Sequence, residues 1–534
     1  MRWYDAAVRR LRTSSWSSRG RWLLRGVEFL VVALLLCGGA LFVYRYASIA
    51  IDSIAYNQQL EWMEGGFLEV VQRVRAGEPI YQEPSIDYVA YLYTPLYFWL
   101  SALLSYIFGL EFLTVRLVSL GGTVAIAVLL QQIVYREVKS WAWSLVAPCV
   151  FLATWDASGR WFHLARVDML ALALLMGAVA TLRFGERDRS AVVGGGLLWL
   201  AFLSKQSTLV IGAAVVTALL LFEPRRASIA ASVAAALIGA SVLALDQASD
   251  GWFSYFVFDV GSQHDVVEGL VKGFWTGDVW RVGVGFAVAI FGFREVGRRD
   301  NGTALFYGAL VVGALMMSWM SRMHSGGYIN VLIPVHIIMA LGIGFIGGAS
   351  ASSGPDGERA RLGWSPTSVA AALLVVLQLV SLDYDHTTML PDPNGESQGA
   401  AFVSRIGSIE GEVLLPDFRF IQTRMKMPSH GMGMASRDLF RIANPEDRGR
   451  AALERSTVAA LSEKRFVAII LSERRTDLMP ELKRHYRYLG RLQPGACPVA
   501  GWAIRPGYIY VPRGERVEPT VKALVDREAK PRCY

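Results

Sequence analysis

The chain is 534 residues long, 53% apolar and only 18% charged, with a net charge of +8. An average soluble protein carries roughly 25% charged residues, and runs near the roughly 20 apolar residues needed to cross a bilayer recur here, so a string of ordinary soluble domains is excluded. The positive excess comes without a zinc-finger, RNA-binding or other basic-aromatic motif, which excludes nucleic acid as its partner.

Residues 1–26 hold Arg2, Arg9, Arg10, Arg12, Arg19, Arg21 and Arg25 and read as a basic cytoplasmic segment. The apolar run 27–47 follows with no A-x-A cleavage site, so it reads as a retained first span rather than a signal peptide. A large outer loop, 48–111, comes next and carries Glu61-Trp62-Met63-Glu64-Gly65-Gly66 and Tyr93-Thr94-Pro95-Leu96-Tyr97. Its apolar end, 94–110, opens on Thr-Pro and is rich in aromatics; it reads as a helix lying against the membrane without crossing it. Further spans are predicted at 112–134, 141–156, 168–184, 191–204, 207–222, 227–247, 279–296, 302–320, 331–349 and 366–382, about eleven in all. The fold class is therefore a polytopic α-helical membrane protein, with a transmembrane region over 27–384.

Orientation follows from the basic residues, which favour cytoplasmic loops. Without a crossing at 94–110, the inner pieces hold the N-terminal arginines; Arg136 and Lys139; Arg183, Arg187 and Arg189; Arg225 and Arg226; Arg294, Arg298 and Arg299; and Arg359 and Arg361. A crossing there would move most of these clusters outside.

Beyond about 384 the composition changes at Asp383-Tyr384-Asp385-His386 and the turn Pro391-Asp392-Pro393-Asn394-Gly395. Short apolar runs at 413–415, 467–471 and 507–511 read as strands, and 452–464 and 479–490 as amphipathic stretches. Residues 385–534 are expected to form a small extracytoplasmic α/β domain, since an odd number of spans from an inner N-terminus ends outside. Cys37 and Cys149 fall in spans; Cys497 and Cys533 fall in this domain, where an oxidising compartment would permit a disulfide.

With this topology the conspicuous polar residues collect on the outer face from four loops. They are Glu61 and Glu64; Arg160, His163, Arg166 and Asp168; Lys205 and Gln206; and Arg322, His324, Tyr328 and Asn330. Each also has a plainer reading. Glu64 can be a solvated loop acid, with Glu61 three residues earlier on the same face. Arg166 and Asp168 can be an interfacial ion pair, and Lys205 a snorkelling lysine. His163 and His324 are more often hydrogen-bonding than metal-ligating. The triple glycine 194–196 lacks the Lys-Ser/Thr of a phosphate loop and reads as close helix packing.

The motifs in their order resemble those of the GT-C membrane glycosyltransferases. Glu61-Trp62-Met63-Glu64-Gly65-Gly66 with Gly77-Glu78-Pro79-Ile80-Tyr81 is similar to the family's acid-Gly first outer loop. Tyr93-Thr94-Pro95-Leu96-Tyr97 resembles its His/Tyr-Pro-Pro-Leu-Tyr element, Ala165-Arg166-Val167-Asp168 its Arg-x-Asp element, and Leu203-Ser204-Lys205-Gln206 its lysine hairpin. The likeness covers about 25–350 and is to the protein O-mannosyltransferase, lipid A aminoarabinose transferase and lipopolysaccharide-core branch. Two departures stand out: Met63-Glu64 where an Asp-Glu pair is usual, and Thr94 where the first Pro belongs.

The resemblance implies a sugar moved from a polyprenyl-phosphate donor to a lipid, glycan or protein acceptor, on the outer face of a bacterial inner membrane and among membrane lipids. It implies a carboxylate base, with Glu64 preferred over Glu61, and Asp168 positioning the acceptor or a cation. Arg166, Lys205 and Arg322 are then expected at the donor phosphate, and His163, Tyr93, Gln206, Tyr328 and Asn330 around the substrate. Some relatives hold a divalent metal, for which Glu64 with His324 or His163 is the candidate pair; no cofactor is otherwise implied. The outer domain is expected to guide the acceptor without performing chemistry. A lipid-linked sugar flippase or solute transporter would carry midplane charges and inverted repeats. A non-catalytic assembly protein would leave the charges of four loops unexplained.

Phosphatase and fluorescent-protein fusions at Gly185 and at Tyr534 are expected to report opposite faces, with the C-terminus outside. A cytoplasmic C-terminus would mean that 94–110 crosses and that the four loops are divided between the faces.

Overall fold

The computed structural model describes residues 18–350, 366–428, 430–431, 433–473, 481–492, 499–501 and 507–526. Cys497 and Cys533 lie outside them; Cys37 and Cys149 are unpaired thiols.

A helix lies over each predicted span. Five are long and apolar enough to cross a membrane: Phe29–Ile54, Phe112–Val138, Pro224–Ala248, Asn301–Arg322 and Ile329–Gly348. The others are Trp141–Ala153, Asp168–Phe184, Asp188–Ser204, Leu209–Leu220, Gly283–Gly297 and Pro366–Ser381. At 1.5 Å per residue these are roughly 18 to 26 Å long, short of a hydrocarbon layer of about 30 Å unless the flanking turns are counted. Their packed faces share one apolar core, with Phe42, Ile126, Phe151, Met176, Ile211, Phe306, Ile338, Phe345 and Val375 all buried.

The debated apolar stretch becomes the helix Leu96–Phe108, roughly 20 Å long. It buries Tyr97, Phe98, Ser101, Ala102 and Ser105 and exposes Leu103, Tyr106 and Ile107, so it is one-sided as well as short. Upstream of it, Glu64–Ala76 is an amphipathic helix whose first two turns bury Phe67, Leu68, Val70 and Val71. Gly65 sits where that helix meets another chain segment. A Cβ there would lie 2.6 Å from Gln59 Oε1 and 3.1 Å from the Phe420 nitrogen, so only glycine lets the 420 backbone approach.

Residues 395–526 contribute a four-stranded sheet in the order β1-β2-β4-β3. β1 (Val413–Leu414) runs parallel to β2 (Ala468–Leu471); β4 (Tyr508–Pro512) is antiparallel to both β2 and β3 (Tyr486–Arg491). Three strands lie where the apolar runs predict them. The fourth corrects the reading of 479–490 as amphipathic: its second half is strand, because Tyr486 and Tyr488 find partners in Pro512 and Tyr510. Tertiary pairing overrides the local pattern there. The sheet region does not pack alone. Phe402, Ile421, Leu439, Ile470 and Ile509 share a core with Phe67, Tyr88, Tyr97 and Phe112 of the 48–111 loop and the helix after it.

A polar network ties the helices at the end predicted to be inner. Glu137, buried, accepts from Arg183 Nε, Arg299 Nη1 and the Tyr307 hydroxyl, each at 2.8 Å. Arg183 also reaches Thr303 Oγ1 at 2.8 Å. Three helices and the turn after Gly283–Gly297 are thus joined through one carboxylate. Glu137→Gln strands two guanidinium groups, and with Arg299 partly exposed the cost is expected to be about 2 kcal/mol. Thermal denaturation in detergent would read this as a lower midpoint; an unchanged midpoint would remove the network from the fold's support.

Candidate active site

The opposite end of the bundle begins with a fully buried ion pair. Arg116, in the first turns of Phe112–Val138, donates Nε to Glu64 Oε1 at 2.9 Å and Nη2 to Oε2 at 2.7 Å. Its other N–H groups reach the carbonyls of Ser53 (2.8 Å), Tyr56 (2.6 Å) and Gln58 (2.8 Å). Glu64 further accepts from the backbone N–H groups of Ala165 at 3.0 Å and Leu60 at 2.8 Å. Burial alone would raise this carboxyl, but the Arg116 charge and the four hydrogen bonds hold it below the ordinary carboxylate range.

Glu61 is equally buried but differently provided for. Its Oε2 accepts from the Met63 N–H at 3.0 Å and lies 3.7 Å from Arg166 Nη1, while Oε1 has no hydrogen-bond partner among the described residues. Burial wins over the pull of Arg166, and the carboxyl is pushed up to about 7. Gly501, with φ +66°, lies directly on it: a Cβ there would meet Glu61 Cγ at 2.7 Å. Val499 and Ala500 hold this segment in place through N–H bonds to Leu60 O at 3.0 and 3.1 Å.

Beside Glu61 opens a cavity of about 550 Å³. Arg166 stands on its wall, stacked 4.1 Å from the Trp161 ring and donating to the Tyr93 hydroxyl at 2.9 Å. Lys205, just past the Asp188–Ser204 helix, also faces the cavity and donates to Asp168 Oδ1 at 2.7 Å. Asn330 reaches the same oxygen at 3.0 Å. Across from these, Asp438 and Arg441 are paired at 2.7 Å, and His264 Nε2 lies 3.1 Å from Asp438 O. Desolvation raises the Asp438 carboxyl. The result is a concave site with cations on its wall and two buried acids, Glu61 and Asp168, behind it.

Among solved structures the chain is similar to ArnT from Cupriavidus metallidurans. Against the form bound to undecaprenyl phosphate the TM-score is 0.56 at 15% identity, covering 88% of this chain and 97% of that one. Against the apo form it is 0.54 at 14% identity, covering 91% and 98%. The chain has the ArnT fold. That agrees with the resemblance carried by the loop motifs, since ArnT is a lipid A aminoarabinose transferase among the GT-C glycosyltransferases. No protein-family model matches the sequence, and no curated protein matches it.

On this ArnT-like fold Tyr93, Arg166, Lys205, Gln206, His324, Tyr328 and Asn330 come together on one cavity wall. Glu61 and Asp168 stand immediately behind it, each bonded to a wall residue. Three expected members are elsewhere. Glu64 is turned to Arg116 with every acceptor position used, so it is a structural acid in this geometry. Arg322 donates to Asp278 at 2.7 Å and to Gly327 O at 2.5 Å, holding the 323–328 loop. His163 packs under the Tyr46 and Trp155 rings, and burial lowers its pKa to about 3, so it is neutral. The suggested metal pair does not fit either: His324 faces the cavity and Glu64 does not.

Sequence reading passed over Trp161, His264, Asp438, Arg441 and Gly501, the last three supplied by the 385–534 region. Arg116 falls inside the predicted span 112–134. An arginine inside an apolar run is itself the signal, since it persists there only with a partner. Glu64→Gln is expected to act on the fold: it breaks a buried pair, at about 3–5 kcal/mol. Expression and melting temperature of this variant should fall well below those of Glu61→Gln; equal stability would return Glu64 to the candidates for chemistry.

Proposed function

We propose that the protein is an integral membrane glycosyltransferase that moves a sugar from a polyprenyl phosphate to an acceptor on the face bearing this cavity. The reading takes eleven crossings over 27–384, with 385–534 outside the cytoplasm of a bacterial cell. The observation that carries it is the juxtaposition of Arg166 and Lys205 on the cavity wall with Glu61, a carboxyl poised near 7 with one oxygen unengaged. The ArnT solved with undecaprenyl phosphate has the same fold, which supports a lipid-phosphate donor here.

The chemistry runs as a displacement at the anomeric carbon. The acceptor oxygen forms its bond to that carbon while the bond to the phosphate oxygen breaks, and the electron pair leaves with the polyprenyl phosphate. Arg166 and Lys205 meet the negative charge that grows on that phosphate. Asp168 does not touch the donor; with Asn330 it aims Lys205. An acceptor hydroxyl loses its proton as it attacks, and Glu61 takes it. Glu61 suits this role better than Glu64 because its Oε1 is unengaged and its proton affinity lies near neutral pH.

With undecaprenyl-phosphate sugars as donors, Glu61→Gln is expected to lower turnover roughly a hundredfold or more while donor binding persists. In the unaltered protein the rate should climb with pH through about 7, because the raised carboxyl becomes a base only above that point. The variant should lose this limb. Near-normal turnover of Glu61→Gln, or an unchanged pH profile, would remove Glu61 from the mechanism.

A further inference from the structure

The cavity holds a third cation, and the C-terminal region supplies it. Arg441 directly follows the helix Gly433–Phe440 and lines the cavity together with Arg166 and Lys205. Two hydrogen bonds bring it there. His264 Nε2 donates to the backbone carbonyl of Asp438 at 3.1 Å, and the His264 carbonyl accepts from His324 Nδ1 at 3.1 Å. The 433–440 helix is thereby stitched to the loop that carries His324. The Arg441 guanidinium lies over Gly326 of that loop, where φ is +98° and a Cβ would come within 2.7 Å of Nη1.

Nη1 donates to Asp438 Oδ1 at 2.7 Å, whereas Nε and Nη2 have no partner among the described residues. Those two nitrogens share one edge of the guanidinium. It is the edge by which Arg116 grips both oxygens of Glu64. A guanidinium donates and never accepts, and this fork matches two oxygens of a carboxylate or phosphate. Burial raises the Asp438 carboxyl against the pull of Arg441, His264 and Arg166. Arg441 and Arg166 thus act on one acid and stand within electrostatic reach of each other. Of the molecules that the glycosyltransferase reading brings here, the polyprenyl phosphate is the one that must carry such an anion. Resting on that reading, we propose that Arg441 completes the donor-phosphate site, its Nε–Nη2 edge taking two phosphate oxygens across from Arg166 and Lys205. It fills the place that Arg322, turned to Asp278, leaves open. The C-terminal region then belongs to the donor site and does more than guide the acceptor. The two oxygens are the non-bridging ones, present in the sugar-bearing donor and in the released lipid phosphate alike.

The test is binding of undecaprenyl phosphate, with no acceptor present, to the purified full-length protein at several salt concentrations. Arg441→Gln is expected to weaken binding by at least about tenfold. It should also flatten the dependence on ionic strength, because a charge contact is lost. The double variant Asp438→Asn, Arg441→Gln removes the pair whole, strands no buried acid, and should show the same loss. Arg455→Gln removes an exposed charge of the same region, one that lies 3.7 Å from Glu83 and outside the cavity. Its affinity should stay within about twofold of the unaltered protein's. Both Arg441 variants binding like the unaltered protein, a loss with unchanged salt dependence, or an equal loss in Arg455→Gln would overturn the inference. Failure of the unaltered protein to bind undecaprenyl phosphate at all would instead sink the glycosyltransferase reading.

Discussion

Everything at the cavity end of the bundle is referred to one buried ion pair. Arg116 and Glu64 have both been taken out of water, which is costly for each and tolerable only because every donor and acceptor of the two is used. Their satellite bonds run to Ser53, Tyr56, Gln58, Leu60 and Ala165. One guanidinium thus fixes the end of the first span, the first outer loop and the approach to the Asp168–Phe184 helix in a single arrangement. Glu61 and Arg166 are each a short step of chain from atoms in this fork, and their relative position is a consequence of it.

The two acids of the loop illustrate how environment divides labour between like residues. Three positions apart, both are wholly buried, yet one is saturated and the other is left with a free oxygen and a weaker cationic neighbour. The lower proton affinity goes with the saturated carboxylate and the higher one with the acid proposed as the base. Lys205 and Asp168 show a second division, with the cation on the wall and the acid behind it serving as its support.

The crossing helices were legible in the sequence because hydropathy is a local property and each run announces itself. So were the loop residues that line the cavity, because charged and aromatic side chains at the ends of apolar runs stand out. The difference in surroundings between Glu61 and Glu64 was not legible: it turns on Arg116, a residue 52 positions beyond Glu64 that pairs through space. Arg322 was misplaced for the same reason, its partner Asp278 lying on a different segment. Asp438, Arg441 and Gly501 carry no motif, and only the packing of the sheet region against the first loop brings them to the cavity. Strand β3 needed its neighbour β4 before its tyrosines could be read as strand rather than as part of an amphipathic stretch.

The shared core of the first loop and the sheet region has a consequence for biogenesis. Asn57 N–H bonds to Glu396, Ile86 N–H to Ser456, and Leu60 O receives the N–H groups of Val499 and Ala500, so partners are more than 330 residues apart. During synthesis the first loop emerges early and has nothing to close against until nearly the whole chain has followed. The cavity residues of the first half therefore meet Asp438, Arg441 and Gly501 only at the end of translation. Assembly itself is the gate: a nascent or truncated chain holds one side of the cavity without the other, and the enclosure arrives together with the last segments.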